Sequence, residues 1–491
     1  MLALINLFLI LIFLFISFPA ISNKFKKIGK KYWLIILIVL LLGLMIRLFL
    51  APHHHRFFID EAFYMGAAKN LLFYLKSTIS TGIYPKQIGW PLLLTIPFFM
   101  FGVNNYIAIY TSIFFGSISI ILMYFLVYLL SKNKRLALIS SFLLAILPLH
   151  VIYSGTAETI VVSVFFLLVT LISFIIMIKN QKKKLIFLAL FLFLFTIQIR
   201  LENILILIPM LVYIFLNKIK LNLKNWIFPI IISSPLFISY LIQIYQLTNF
   251  YDGAYYQDLI FFGFREILSK LTSIDLYFNF LFTLSFLFLI IGFIGLHKSK
   301  ILIFYISWFL AYFGHYLFYL FSDDFHVIPG LVALLPIMAY GIIHISTLSS
   351  KIFPKKKLLL DTTIMIVILL SFFASFDKDI VPEYLIETKT LEKLKQDIPD
   401  DCVVVAEIPI IVTSVTELRA IDTIYFLDHT DENLLAYKDT CLIYFEDIYC
   451  KKNIILESDK RCETMHSNFK LSKYKEYNEM GITLSLYNIS N

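Results

Sequence analysis

Five ionisable residues stand at the ends of long apolar stretches, where a charged side chain is costly to place and seldom without a task. Their sequence contexts are RFFIDEAFYMG for Asp60 and Glu61, YSGTAETIVV for Glu158, and TIQIRLENIL for Arg200 and Glu202. A carboxylate can accept the proton of a reacting hydroxyl, and a guanidinium fork binds phosphate through two parallel hydrogen bonds. These residue types therefore predict a polar site that binds a phosphate and accepts a proton.

Two of these residues also have a purely structural interpretation. Asp60 immediately precedes a predicted helix, and because Asp is a preferred residue at helix N-termini, capping alone would explain it. Arg200 stands at the end of an apolar helix, from which long basic side chains extend to the membrane interface. The neighbouring Glu202 favours an ion-pair or anion-binding role for Arg200 instead.

The composition excludes a single soluble globular domain. Of 491 residues, 60% are hydrophobic and 15% are charged, whereas soluble domains contain about 25% charged residues. Residues 377–491 contain 22 of the 33 acidic and 13 of the 42 basic residues, a net charge of −9, which leaves +18 in residues 1–376. The chain therefore combines a basic membrane body with an acidic, water-soluble C-terminal segment.

Apolar runs of membrane-spanning length predict about twelve transmembrane helices. They lie near residues 1–21, 33–51, 105–130, 136–152, 159–178, 185–199, 204–216, 226–246, 278–296, 301–320, 327–348 and 358–376. Alternate loops carry 21 of the 29 basic residues of the body, and the positive-inside rule makes those loops cytoplasmic. The N-terminus and the C-terminal segment are then outside, and ten of the eleven acidic residues of the body lie on the outer side or at its edge.

The outer loop 52–104 is predicted to contain ordered segments. Residues 61–76 have apolar positions three and four apart, a pattern typical of a helix that lies on the membrane surface. Residues 88–101 are apolar but short and interrupted by proline, which favours a re-entrant or surface-lying segment. Because Asp60 and Glu61 belong to this loop, the outer face is the predicted location of the polar site.

The C-terminal segment is predicted to be a small extracytoplasmic α/β domain. A helix is predicted at 383–397, and strands are predicted at 402–408, 420–427, 440–446 and 481–488. All four cysteines lie in this segment, and an extracytoplasmic location permits disulfides. Cys450 and Cys462 flank a polar loop and are the favoured pair, with four reduced cysteines as the alternative. A zinc site is disfavoured because the cysteine spacings are irregular and no histidine pair accompanies them.

Several classes of function lack their sequence motifs. The chain has no glycine-rich phosphate loop and no serine-centred elbow, so ATP hydrolysis and serine hydrolase chemistry have no support. A transporter remains the non-enzymatic alternative, although no internal repeat is evident and the charges cluster at one surface.

Five stretches carry a family resemblance: IDEAFY after the first full crossing, YPKQIGWPLLLTIPFFMFGVNNYIAIY, YSGTAETI, QIRLEN, and the proline-spaced FSDDFHVIPGLVALLPIMAYG. Together they resemble the GT-C glycosyltransferases, with the protein O-mannosyltransferase, aminoarabinose-transferase and RgtA/B/C/D-like branches as the most similar groups. The likeness covers residues 33–376, and residues 377–491 resemble the soluble outer domain that many members append. Residues 1–32, an additional transmembrane helix and a basic cytoplasmic loop, lie outside the shared core.

The resemblance implies an α-helical polytopic plasma-membrane enzyme that acts at the outer face. It would transfer a sugar, with inversion, from a polyprenyl- or dolichyl-phosphate carrier to a protein, lipid or glycan acceptor, and no nucleic-acid partner is implied. A lipid-linked oligosaccharide ligase or polymerase is the nearest alternative. By carry-over, Asp60 matches the family's catalytic acid, Glu61 its partner, and Glu158 the second outer-loop carboxylate.

The resemblance also implies contacts to the donor and the substrate. Arg200 and His326 are the expected contacts of the carrier phosphate. The expected substrate contacts are Tyr64, Glu202, Asp323 and Asp324. A divalent ion, Mg²⁺ or Mn²⁺, is compatible with the family, but the sequence assigns it no ligands. One departure is that this chain has Phe325 and His326 where many relatives have an Arg-Tyr pair.

Overall fold

The computed structural model of the protein describes residues 2–53, 59–74, 87–250, 285–297, 299–318, 324–352, 363–364, 366–372, 376, 385–407, 409–416, 418–437, 440–447, 450, 458–479 and 482–490. The chain forms two compact units. The helical unit comprises Met1–Pro52, Lys86–Leu92 and Ile109–Lys378. The mixed unit comprises His53–Pro85, Leu93–Ala108 and Asp379–Asn491.

Among the described residues, fourteen α-helices precede residue 353. They are α1 (Leu2–Phe25), α2 (Lys30–Leu50), α3 (Ile59–Tyr74), α4 (Gly89–Phe101), α5 (Asn105–Ser131), α6 (Lys134–Ala145), α7 (Pro148–Ser154), α8 (Thr159–Asn180), α9 (Lys183–Ile199), α10 (Leu207–Leu216), α11 (Leu223–Phe250), α12 (Ser285–Leu296), α13 (Lys300–Phe318) and α14 (Ile328–Ile352). Three short 3₁₀ helices join them, at Lys26–Ile28, Leu201–Ile206 and Asp324–Val327.

Six of the described helices are long and apolar enough to cross a membrane, namely α1, α2, α5, α8, α13 and α14. Helices α6 and α7 would form a seventh span, bent by 54° where they meet. This bend follows from Pro148, because the ring of a proline disfavours helical geometry in the residue before it. The predicted number of twelve spans is not confirmed, because other predicted spans correspond to shorter helices or extend beyond the described residues.

Arg47 of α2 supports the bend between α6 and α7 and is fully buried. Its Nη1 donates hydrogen bonds to the carbonyl oxygens of Gly43 at 2.8 Å and Ala145 at 3.0 Å. Its Nη2 donates to Nδ1 of His150 at 2.7 Å, and its Nε donates to Oγ of Ser154 at 3.2 Å. The carbonyl oxygen of Ala145 lies at the end of α6, where no further helical turn donates a hydrogen bond to it. Arg47 supplies that hydrogen bond.

The mixed unit is built on a five-stranded sheet of order β2-β1-β3-β5-β4. The strands are β1 (Val403–Ala406), β2 (Arg419–Asp422), β3 (Leu442–Glu446), β4 (Lys470–Glu479) and β5 (Ile482–Ser490). Strand β1 pairs in parallel with β2 and β3, whereas β5 pairs antiparallel with β3 and β4. The accompanying helices are α15 (Leu385–Asp397), α16 (Pro409–Thr416), α17 (Thr423–Asp428), α18 (Thr430–Ala436) and α19 (Ser458–Asn468).

The sheet differs from the sequence prediction in two places. The strand predicted at 420–427 ends at Asp422, whose carboxylate accepts hydrogen bonds from the backbone N–H groups of Ile424 at 2.7 Å and Tyr425 at 3.4 Å. This N-cap starts α17 and stops the strand. Strand β4 was not predicted, because its sequence KLSKYKEYNE is almost entirely polar. A polar strand is compatible with its position at the edge of the sheet.

Helix α3 belongs to the mixed unit. Ala62 is only 1% exposed and lies in one hydrophobic cluster with Val412 of α16 and other residues of the C-terminal segment. Phe63 packs against the same cluster. The sequence predicts that the outer loop 52–104 belongs to the transmembrane domain, whereas most of this loop belongs to the same compact unit as the C-terminal segment.

The four cysteines form two disulfides. Cys450 is joined to Cys462, the favoured pair from the sequence, with their Cα atoms 5.8 Å apart. Cys402 is joined to Cys441, with a Cα separation of 4.6 Å. The second pair was not predicted from the sequence. It forms because each cysteine immediately precedes a strand, and these strands, β1 and β3, are parallel neighbours.

Candidate functional site

Glu158 lies in the turn between α7 and α8 and is the N-cap residue of α8. Its side chain is buried and accepts a hydrogen bond from the backbone N–H of Thr159 at 3.3 Å. Trp90 supports the same turn, because its Nε1–H donates to the carbonyl oxygen of Ala157 at 2.8 Å. The positive end of the α8 dipole stabilises a carboxylate at this position.

Arg200 follows the last residue of α9 in an extended conformation. Its buried guanidinium pairs with Glu202 through Nε. Nη1 donates to Oγ1 of Thr159 at 3.0 Å, and Nη2 donates to Nδ1 of His326 at 3.1 Å. Because Thr159 directly follows Glu158, the fold places the predicted phosphate-binding guanidinium beside the turn that carries the second predicted carboxylate.

Glu202, His315 and His326 form a group that we call the Glu202 cluster. One nitrogen or oxygen atom from each residue lies within 4.8 Å of those from the other two. The Nδ1 atom of His326 is 3.7 Å from Oε1 of Glu202. Burial disfavours the charged carboxylate, but Arg200 and His326 outweigh burial and hold the pKa of Glu202 well below its usual range. Glu202 is therefore ionised at neutral pH.

Asn203 fixes the segment that carries Glu202. Its Nδ2 donates to Oγ of Ser163 at 2.9 Å and to the carbonyl oxygen of Thr196 at 2.9 Å. Its Oδ1 accepts from the hydroxyl of Tyr312 at 3.2 Å. These partners lie on α8, α9 and α13, so one buried amide holds the Glu202 segment against three helices. A network of this kind restricts the positions that the charged side chains can adopt.

Three predicted site residues lie on α3, in the mixed unit. Helix α3 begins at Ile59 in the described residues, so Asp60 lies within its first turn and does not immediately precede it. Glu61 and Tyr64 are buried, with 1% and 7% of their surfaces exposed. The catalytic roles of Asp60 and Glu61, and the substrate contact of Tyr64, remain predictions.

The late proline-spaced segment contributes His326, which lies in the 3₁₀ helix Asp324–Val327 and is 7% exposed. Asp324 lies in the same short helix, and Asp323 lies outside the described residues. The predicted site residues that the helical unit brings together are Glu158, Arg200, Glu202 and His326.

Thr159, Asn203 and His315 belong to this site but are not predicted from the sequence. His315 stands alone in the apolar stretch AYFGHYLF, and a lone histidine in such a stretch gives no signal of a partner. Thr159 and Asn203 adjoin residues that were identified, but their hydrogen bonds depend on how α8, α9 and α13 pack. Their contribution is therefore visible only in the three-dimensional arrangement.

The arrangement has the chemical properties of an anion-binding site beside a carboxylate. Arg200 supplies a buried guanidinium, a group that binds phosphate through charge-assisted hydrogen bonds. Glu202 balances this charge, and His326 contacts both residues. Glu158, at the neighbouring turn, is a carboxylate of the type that accepts a proton in acid–base chemistry.

No protein-family model and no curated protein matches the sequence. Solved structures do match. The crystal structure of ArnT from Cupriavidus metallidurans bound to undecaprenyl phosphate has a TM-score of 0.61 at 9% identity, covering 94% of this chain and 98% of that chain. The same protein in the apo state has a TM-score of 0.59 at 10% identity, covering 93% of this chain and 98% of that one.

A third match is the Archaeoglobus fulgidus oligosaccharyltransferase in the apo form, with a TM-score of 0.60 at 12% identity. The match covers 95% of this chain and 75% of the oligosaccharyltransferase chain. Both proteins are members of the GT-C superfamily. At these identities the similarity concerns the fold, and the GT-C fold predicted from the sequence is confirmed over most of the chain.

Proposed function

We propose that the protein is a membrane glycosyltransferase that moves a sugar from a polyprenyl- or dolichyl-phosphate carrier to a protein, lipid or glycan acceptor. The observation that carries the proposal is the buried guanidinium of Arg200, which Glu202, His326 and Thr159 hold beside the Glu158 turn. The chain that presents it has the fold of a protein solved with bound undecaprenyl phosphate.

Arg200 is the proposed contact of the carrier phosphate. Negative charge develops on this phosphate as the bond to the sugar breaks, and a preorganised cation in a water-poor site stabilises that charge. Glu202 keeps the guanidinium in place before the donor arrives. Because Nδ1 of His326 accepts the hydrogen bond from Arg200, the other ring nitrogen, Nε2, carries the hydrogen that can be donated to the phosphate. The predicted roles of Arg200 and His326 thus have a common physical basis.

A carboxylate is the proposed proton acceptor. The acceptor hydroxyl attacks the anomeric carbon, its proton passes to the carboxylate, and the lipid phosphate leaves from the opposite face with the bonding electrons. A single displacement of this kind inverts the anomeric configuration. By family resemblance Asp60 accepts the proton, Glu61 assists it, and Glu158 is the second carboxylate.

No divalent ion is assigned to Asp60 and Glu61. Among the described residues, the Glu202 cluster is placed to hold a metal ion, with two imidazoles and one carboxylate. Imidazole ligands suit Zn²⁺ and other transition ions, and Mn²⁺ accepts mixed ligands, whereas Mg²⁺ prefers oxygen. A bound ion would add positive charge near the carrier phosphate. Arg200 already provides a cation there, so the proposed transfer does not require the ion.

The outer membrane face is the proposed side of the reaction. Helix α3, with Asp60 and Glu61, shares a compact unit with the C-terminal segment, and both are predicted to be extracytoplasmic from the basic loops. A donor that is linked to a lipid carrier is accessible on that face. The proposed protein is thus a multi-pass plasma-membrane enzyme whose C-terminal domain is outside.

The proposed function is tested by incubating membranes that contain the protein with labelled polyprenyl-phosphate sugars and following the label into lipid and protein fractions. Wild-type protein should transfer label. Arg200→Ala should slow transfer by roughly 10- to 150-fold, the equivalent of about 1.5–3 kcal/mol for charge-assisted hydrogen bonds. Arg200→Lys should recover only part, since an ammonium lacks the bidentate fork.

Arg135→Ala is the matched control, because Arg135 lies at the start of α6 and its Nη2 contacts Ser346, outside the proposed site. The control should transfer label at the wild-type rate. Unchanged donor kinetics in both Arg200 variants would indicate that Arg200 only extends from its helix end to the membrane interface. Label that moves only between lipid-linked glycans would support the ligase or polymerase alternative. Absence of transfer from every donor by wild-type protein would contradict the proposed function.

A further inference from the structure

The start of helix α4 lies between the two segments that carry Glu158 and Arg200. Trp90 is fully buried, and its Nε1–H donates a hydrogen bond to the carbonyl oxygen of Ala157 at 2.8 Å. Ala157 immediately precedes Glu158. One side of the start of α4 is therefore fixed to the turn that presents the buried carboxylate.

The other side of the start of α4 lies against the end of α9. A Cβ atom added to Gly89 would lie 2.8 Å from Cγ1 of Ile199 and 2.9 Å from the backbone carbonyl carbon and oxygen of Gln198. Such distances are shorter than Cβ contacts in proteins, so residue 89 has no room for a side chain. Ile199 immediately precedes Arg200, and the backbone of α4 therefore rests directly against the Arg200 segment.

We propose that Gly89 and Trp90 are positioning residues that set the spacing between the Glu158 turn and the Arg200 segment. The inference rests on the proposed function and deepens it by naming residues outside the charged set. Gly89 sets the approach of α4 to α9, and Trp90 sets the approach of α4 to the turn before α8. Together they hold the second carboxylate, Glu158, and the proposed phosphate contact, Arg200, at a fixed separation.

Different kinetic effects are expected from the two residues. Loss of the Trp90 hydrogen bond removes one constraint on the turn at Ala157 and allows Glu158 to shift, which affects the chemical step. A side chain at residue 89 pushes against Gln198 and Ile199, which displaces Arg200 and weakens the hold on the donor. Because misplacement by about 1 Å costs up to about 100-fold in rate, small displacements at either side are measurable.

The test of Trp90 compares Trp90→Phe with Trp308→Phe in the full-length protein. Trp308 is also fully buried, and its Nε1 atom has no hydrogen-bond partner among the described residues, so both variants remove an indole but only one removes a hydrogen bond. We expect Trp90→Phe to lower kcat for sugar transfer by about 10-fold with little change in the donor KM. Trp308→Phe removes no hydrogen bond to the described residues and should keep the wild-type kcat, so any loss of its thermal stability reports the smaller ring alone.

The test of Gly89 uses Gly89→Ala, with Gly314→Ala as its control, since a Cβ atom at Gly314 would meet no atom of the described residues within 4 Å. We expect Gly89→Ala to raise the donor KM by about 10-fold or more, and the control to leave it unchanged. Equal kinetic losses in Trp90→Phe and Trp308→Phe, or unchanged donor KM in folded Gly89→Ala, would overturn the positioning proposal. A wild-type protein without transfer activity would instead overturn the proposed function itself.

Discussion

Helix stabilisation and catalysis make different predictions for Asp60. If Asp60 only stabilises the first turn of α3, Asp60→Asn should leave the transfer rate nearly unchanged, because the loss of one charge at a helix N-terminus costs only about 0.3–1 kcal/mol. If Asp60 accepts the proton of the acceptor hydroxyl, Asn keeps the shape but cannot accept it. We therefore expect Asp60→Asn to reduce the initial rate of transfer by about 10²- to 10⁴-fold, measured on purified protein that elutes normally from a size-exclusion column.

Two further variants complete this experiment. Asp60→Glu should also be poor, because one added methylene moves the carboxylate by about 1 Å. Glu61→Gln is the neighbouring control and should cost less. A folded Asp60→Asn protein with the wild-type rate would end the catalytic assignment.

The chemistry of single residues was predictable from the sequence, but their partners were not. Charges at the ends of apolar stretches identified Glu158 and Arg200, since such positions are costly for ionisable groups. Their proximity through Thr159 depends on how α8 packs against α9, and no sequence spacing reports it. His315 was missed because an isolated histidine in an apolar helix is uninformative until the fold brings Glu202 to it.

At the scale of elements, the broken helix α6–α7 depends on Arg47 for its hydrogen bonds. Arg47→Met would leave the carbonyl of Ala145 and Nδ1 of His150 without this donor inside an apolar unit. Each buried polar group that loses its partner costs about 1–3 kcal/mol. We therefore expect Arg47→Met to lower the free energy of unfolding by roughly 3 kcal/mol, measured by thermal unfolding in detergent.

Arg47→Lys should be intermediate, since an ammonium has fewer donors and no fixed fork. Arg135→Met serves as the comparison, because Arg135 is only partly buried. If Arg47→Met unfolds at the same temperature as this control, the contacts of Arg47 do not support the bend.

The local sequence explains why some helices and strands could be predicted and others could not. Helix α3 was predicted at 61–76 and occurs at Ile59–Tyr74, because its apolar positions recur with helical spacing. Strand β4 was missed because an edge strand needs no apolar run. The strand predicted at 420–427 ends at Asp422 because the Asp422 side chain caps α17. Elements with one buried face were thus predictable, whereas polar elements and caps required the tertiary structure.

The C-terminal segment offers a covalent test of its fold and compartment. The Cα atoms of Cys450 and Cys462 are 5.8 Å apart, within the usual range for a disulfide. Mass mapping of the non-reduced protein should find this pair joined, and closing a loop of about a dozen residues should stabilise the segment by about 3 kcal/mol in the chain-entropy model. Cys450→Ser should lower the unfolding temperature, and free thiols at both positions would contradict the prediction.

At the scale of the whole molecule, two observations of different kinds bear on topology. The distribution of basic loops predicts that the outer loop 52–104 and the C-terminal segment lie on the same side of the membrane, the outer one. Independently of charge, the structure places α3 and the C-terminal segment in one compact unit, with Ala62 and Val412 in one hydrophobic cluster. Two segments that share a hydrophobic cluster must lie on the same side of the membrane, so an even number of crossings separates them.

Labelling of intact cells with a membrane-impermeant thiol reagent tests this topology. Phe73→Cys in α3 and Leu435→Cys in α18 are suitable sites because their side chains are 60% and 75% exposed. Both should be labelled from outside, whereas Lys182→Cys, between α8 and α9, should be labelled only after permeabilisation. Labelling of Lys182→Cys alone in intact cells would invert the topology. If only one of the two outer positions reacted in intact cells while both reacted after permeabilisation, α3 and the C-terminal segment would lie on opposite sides, and their shared hydrophobic cluster could not form in the membrane.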